Sequence, residues 1–215
     1  MADRGPGASA GAIMLSAGEA SGVPVIGLFP GSRRQELERL VPAMADAAAR
    51  LRRERPAARI VLGRAPTVDA ARVDALLASA GDARVEVRLG SHELMAAADL
   101  LLIASGTATL EAALLGTPMV VCYRVSRTTE MTVRLLARVP RYSLPNILGG
   151  REVVREVLQD DVTGARLADE ARRLLAPSGP ADEQRRAFAE IRDGLGKEVV
   201  AARATAAVLR AARAS

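Results

Sequence analysis

The chain alternates short apolar runs with longer stretches of helical period. Residues 23–28, 59–62, 85–89, 100–103 and 118–123 are runs built largely from Val, Ile and Leu, and each reads as a strand. Between them, residues 36–55 place Leu37, Leu40, Val41, Met44, Ala48 and Leu51 on one face of an amphipathic helix. Residues 67–79, a short segment from Ser91, the stretch through Leu110, Ala113 and Leu114, and residues 128–137 carry the same period. Strands alternating with helices predict an α/β fold, a Rossmann-like parallel sheet with helices on both faces. Such sheets take ligands beyond the carboxyl ends of their strands, where the strand order reverses.

The ends of the chain are patterned differently. Residues 1–11 are small, polar and rich in Gly, which predicts disorder, and residues 12–15 read as a short strand entering a small-residue loop over 16–22. The next strand begins at Val23 with no room for the crossover that two parallel neighbours require. After Arg141, residues 142–150 read as a loop and 152–158 and 163–174 as helices. Residues 177–180 break the chain, and 182–195 and 199–212 read as closing helices.

Composition narrows the function. Only 2% of residues are aromatic and none is Trp, so stacking platforms for single-stranded nucleic acid are missing and no nucleic-acid partner is expected. The net charge is +5, and all but Lys197 of the 30 basic residues are Arg, a surface that favours phosphates and, weakly, acidic lipid headgroups. No apolar run approaches the roughly 18 residues of a bilayer span. The single Cys122 excludes a disulfide framework, suits a reducing, cytoplasmic compartment, and reads as a small buried hydrophobe. One Cys and one His make no metal site, so neither a metal nor a cofactor is expected. His92 itself reads as a surface or capping residue.

Two turns carry candidate chemistry. The run ending at Ile103 passes through Ser105, Gly106 and Thr107 into a helix, whose unpaired first N–H groups and dipole favour an anion. Glu111 lies one turn on, nearly on the face of Thr107, where its carboxylate can accept hydrogen bonds from a sugar diol. Phosphate and ribose can therefore be held at one helix entrance. The simpler alternative is that Ser105 and Thr107 cap a helix and Glu111 is a solvated acid. The second turn, Pro30, Gly31, Ser32 and Arg33, offers close backbone approach, hydroxyl and amide donors, and a guanidinium that can grip a phosphate. Tyr123 and Arg124 end the fifth strand beside the same crevice, and Asn146 lies in a Pro-Asn pair that ordinarily forms a turn.

The ordered motifs LFPGSRRQE, ASGTATLEAALLGTPMVVCYR, SLPNILGGREVV and EVLQ resemble the second half of the lipid-A-disaccharide synthase family, inverting glycosyltransferases with two facing nucleotide-binding-like domains of GT-B architecture. The opening MLSAGEASG resembles that family's first strand and loop. The resemblance implies transfer of 2,3-diacylglucosamine from its UDP derivative to 2,3-diacylglucosamine 1-phosphate, with release of UDP. It places Ser105, Gly106, Thr107 and Glu111 at the UDP moiety and Gly31, Ser32 and Arg33 beside the phosphates. Tyr123 and Arg124 would join them, and Asn146 and Gln159 would reach the donor site. The partners it implies are the UDP-sugar donor, an acylated sugar-phosphate acceptor and a second copy of the chain, paired through the C-terminal segment.

The sequence departs from the family where Gly22 runs directly into Val23, at the point where the rest of a first domain is expected, and where Arg155 replaces a proline. On this basis residues 1–22 are a disordered tail and a remnant of the first domain, and 23–215 form the UDP-sugar domain with its C-terminal helices. Glu19 is the one acidic residue left in a family cleft motif and the lone candidate general base, a role the sequence does not assign it. A truncated, catalytically silent UDP-binding chain is the alternative reading.

Overall fold

The computed structural model describes residues 23–80, 84–90, 92–125, 141–177 and 179–195. Six strands form one wholly parallel sheet: β1 (Val25–Phe29), β2 (Arg59–Arg64), β3 (Glu86–Leu89), β4 (Leu100–Ala104), β5 (Met119–Tyr123) and β6 (Arg155–Leu158). Their order is β3-β2-β1-β4-β5-β6, so the chain reverses its direction of travel across the sheet between β1 and β4. The helices are α1 (Arg34–Glu54), α2 (Ala70–Ser79), α3 (His92–Ala97), α4 (Thr107–Leu115), α5 (Leu144–Gly149), α6 (Gly164–Leu174) and α7 (Pro180–Leu195).

Alternate strand residues face opposite sides of the sheet. Ile26, Leu28, Leu100, Leu102, Val120 and Cys122 pack with α1 and α6 on one side. Val25, Phe29, Leu101, Ile103, Met119 and Val121 pack with α3, α4 and α7 on the other. Both faces are thus covered, which is why β1 and β4 are apolar at every position rather than alternating. With few aromatics available, close approach does much of the filling: Phe29 lies so near Gly63 that a β-carbon there would be 2.5 Å from its ring. Helix α1 carries its buried stripe through Pro42, forgoing one backbone hydrogen bond. Gln184 of α7 ties that helix to β5 through both backbone groups of Met119, at 2.8 and 3.1 Å. Burial pushes the Cys122 thiol up to about 12, leaving an inert core residue.

Two expectations are corrected. Residues 152–158, expected as a helix, contain β6, which pairs parallel to β5 from Arg155 to Leu158. The segment Val153-Val154-Arg155-Glu156-Val157-Leu158 fits either period, and the free edge of β5 decides for the strand. Residues 142–150, expected as a loop, contain α5, with Pro145 in its first turn and Gly150 at φ +65° closing it. The expected elements at 12–15, 128–137 and 199–212 lie outside the described residues.

Candidate functional site

The carboxyl ends of β1 and β4 meet at the reversal point, and the turns leaving them differ in what fills them. After β1, Gly31 takes φ +94°, and the chain wraps around the Glu36 carboxylate. The Ser32 and Arg33 amides both donate to Glu36 Oε2 at 3.2 Å, and Arg33 Nη1 donates to Oε1 at 2.9 Å. A β-carbon at residue 31 would fall 2.2 Å from that oxygen, so only glycine fits. Glu36 is the third residue of α1, and its carboxylate reaches back to the Arg33 amide at the N-cap, the acidic half of a capping box. The donors predicted to meet a phosphate here are held by the chain's own carboxylate.

The turn after β4 is open. Among the described residues no side chain caps α4, and a β-carbon at Gly106 would meet nothing within 4 Å. Ser105 donates its hydroxyl to the Tyr142 carbonyl at 2.9 Å. Thr107 is exposed, and Thr109 is buried with its hydroxyl on the Gly106 carbonyl at 2.7 Å. Glu111 stands one turn into α4, and its Oε2 lies 3.0 Å from His92 Nε2 at the start of α3.

Between these turns lies a cavity of about 420 Å³, within the range of small-molecule sites. Phe29, Met95, Ala104 and Ala108 supply apolar walls, and Ser32, His92, Glu93 and Glu111 supply polar groups. It extends under Pro66 and Gly90, the segments that follow β2 and β3. An apolar slot with a carboxylate on one wall and an uncapped helix start alongside suits a planar base, a diol and an anion joined in that order.

Of the predicted binding residues, Gly31, Ser32 and Glu111 line the cavity, and Gly106 and Thr107 stand at the open helix start. Arg33 is engaged with Glu36. Tyr123 stacks on Tyr142 with ring centroids 5.3 Å apart, its hydroxyl pushed up chiefly by burial, and Arg124 follows it. Asn146 is buried and fully committed elsewhere. Its Oδ1 accepts from the Val153 and Val154 amides at 2.7 and 2.8 Å, and its Nδ2 donates to Val154 O and Glu156 Oε1 at 2.9 and 2.8 Å. All its hydrogen-bonding capacity holds α5 to the start of β6, so in this structure it does not reach the cavity. Gln159 follows β6 with φ +49°, and its Oε1 accepts from the Val125 amide at 2.9 Å, tying the ends of two strands together. Glu19 lies outside the described residues.

The sequence did not reveal three side chains that shape the site. His92 stands across the mouth from Glu111, a pairing without a sequence signal because the two are brought together by different strands. Glu36 had the signal of a glutamate at the third helical position. Glu156 gathers the Tyr142 and Ser143 amides, the Ser143 hydroxyl and Asn146, supporting the segment to which Ser105 is tied. Among the described residues no group of three or more His, Cys, Asp or Glu side chains can hold a metal ion, and no helix is long and apolar enough to cross a membrane.

A sequence profile of the family described as lipid-A-disaccharide synthetase matches residues 13–209. The chain belongs to this family. It is 42% identical over 186 residues to the lipid-A-disaccharide synthase of Myxococcus xanthus, covering 86% of this chain and 49% of that protein. It is 40% identical over 199 residues to the synthase of Anaeromyxobacter dehalogenans, covering 91% of this chain and 51% of that one. The chain thus spans about half the length of the curated relatives it matches. Among solved structures, a glycosyltransferase of lipopolysaccharide biosynthesis superposes with a TM-score of 0.56 at 18% identity, over 82% of this chain and 45% of that one. The calicheamicin glycosyltransferase superposes with a TM-score of 0.57 at 22% identity, over 87% and 42% of the two chains. These likenesses show the fold, a nucleotide-binding-like sheet of the GT-B glycosyltransferases.

Proposed function

We propose that this chain provides the donor-nucleotide site of a lipid-A-disaccharide synthase, which transfers 2,3-diacylglucosamine from its UDP derivative to 2,3-diacylglucosamine 1-phosphate and releases UDP. The observation that carries the reading is the cavity at the sheet's reversal point, with Glu111 and the open start of α4 on its border. In this reading uracil enters the apolar slot and the ribose hydroxyls donate to Glu111. The diphosphate meets the first amides of α4. Those amides oppose the negative charge that grows on UDP as the glycosidic bond breaks, and need no reorganisation to do so. A general base must take the proton of the acceptor 6-hydroxyl as it attacks the anomeric carbon from the opposite face.

The open turn after β4 is the better phosphate cradle of the two, because Glu36 fills the turn after β1. Arg33 then serves through its guanidinium once Glu36 releases it. Pairing of two copies through the C-terminal segment, and a site of action at the cytoplasmic face of the inner membrane, where an acylated acceptor resides, belong to the same proposal. The Arg-rich composition suits weak attraction to such a surface.

A second reading, nucleotide binding without turnover by this chain alone, is favoured by one feature of the cavity. Among the described residues, those lining it come from the strand ends, turns and helices of a single sheet, which wall the site from one side. Orientation of an acceptor needs a second wall. The test is UDP release from UDP-2,3-diacylglucosamine with the acylated sugar-phosphate acceptor present or withheld, in the chain and in Glu111→Ala. Acceptor-dependent release that Glu111→Ala abolishes supports transfer. UDP binding that requires Glu111, without release, supports the second reading, and no UDP binding overturns both.

A further inference from the structure

His92 and Glu111 stand on different helices, 19 residues apart in sequence, and meet at 3.0 Å across the mouth of the cavity that both line. Their side chains are 69% and 45% exposed, so solvent screens the pair and it contributes little to the fold. Its consequence is instead geometric. A long carboxylate side chain at a helix surface samples several rotamers, and a contact with one oxygen selects among them. Among the described residues His92 takes one lone pair of Oε2 and leaves the other on Oε2 and both on Oε1 for further donors, enough to accept from two neighbouring hydroxyls.

We propose that His92 is a positioning residue that holds Glu111 in the orientation that reads a vicinal diol, which makes the site selective for a nucleotide with an intact ribose. The inference rests on the donor-site reading above and adds to it the residue that sets the discrimination. The imidazole touches the carboxylate rather than the ligand, so its contribution appears only where the hydroxyls are present.

The test compares the affinity of the full-length chain for UDP and for 2′,3′-dideoxy-UDP, by titration calorimetry, in the wild type, His92→Ala, His92→Gln, Glu111→Ala and His92→Ala/Glu111→Ala. The wild type is expected to prefer UDP by about tenfold or more, the scale of charge-assisted hydrogen bonds. His92→Ala is expected to lose most of that preference while binding the dideoxy nucleotide as the wild type does, and His92→Gln to recover part of it through its amide donor. The double variant should match Glu111→Ala, since His92 acts only through that carboxylate. A preference unchanged in His92→Ala overturns the proposal and leaves a solvated surface pair. Tighter UDP binding in His92→Ala also overturns it, showing that the imidazole competes with the diol. A wild type that binds UDP without preferring the diol overturns the role of His92 and keeps the donor site. A wild type that binds neither nucleotide overturns the donor-site reading itself.

Discussion

The turns after β1 and β4 look alike in sequence and are opposites in structure. Each joins a buried central strand to a helix through Gly and hydroxyl residues, and each sits at the reversal point of the sheet. In the first, Glu36 folds back from the helix and satisfies the Ser32 and Arg33 amides. In the second, Glu111 lies two residues further along its helix and pairs with His92 instead of folding back. An acidic residue at the third helical position therefore closes a turn, and one at the fifth leaves it open. Anion sites cannot be read from Gly and Ser alone, because the same donors attract the chain's own carboxylates.

The sharpest way to break the comparison is to remove what stands behind the open turn. Asn146→Ala would leave the Val153 and Val154 amides without their acceptor and Glu156 without one of its donors, at a cost of about 3 kcal/mol or more. Denaturant titration is expected to show that loss, with the midpoint falling at unchanged slope.

Next in size is the contrast between the glycines. Gly31→Ala puts a β-carbon against Glu36 at a positive φ and is expected to cost roughly 1–3 kcal/mol of stability. Gly106→Ala meets nothing within 4 Å among the described residues and is expected to leave stability unchanged. UDP affinity should fall about tenfold in Gly106→Ala if the ligand approaches that backbone closely. Equal melting temperatures for the two variants would erase the distinction between a filled and an open turn.

A smaller effect is expected at Glu36. Inorganic pyrophosphate, followed by amide chemical shifts, should perturb Gly106, Thr107 and Ala108 at lower concentration than Ser32 and Arg33. Glu36→Gln removes the competing charge and should tighten pyrophosphate at the first turn by about threefold to tenfold, narrowing the gap. No change on this substitution would mean that Glu36 is a cap and nothing more.

The smallest effect is expected far from both turns, where Arg172 of α6 reaches Glu54 at the end of α1. The hydrogen bond from Arg172, followed by burial acting the other way, holds Glu54 below the usual carboxylate range. A lowered value means that the contribution is present above that range and is lost as the pH falls through the folded value. The pair is exposed, so Arg172→Ala should shift the melting temperature only slightly at neutral pH and not at all in acid. A large shift would show α6 docking to be electrostatic rather than apolar.

Periodicity made the sheet legible. The runs at β1, β4 and β5 are so uniformly apolar that only strands covered on both faces accommodate them, and the intervening helical stripes imply parallel order. The Gly-Thr turn and Glu111 were legible as neighbours at one helix start, since both lie within one helical turn, and their role in nucleotide binding is the proposal made above. The sequence did not determine β6, because Val153 to Leu158 fits helix and strand equally and the free edge of β5 chose between them. Nor could it tell that Asn146 is spent on the backbone of β6 or that His92 stands opposite Glu111. Local pattern is set by interactions within a few residues, and the sequence alone carries those. Which carboxylate fills a turn and which faces a cavity depends on strands that pair across the sheet, and only the tertiary structure decides that.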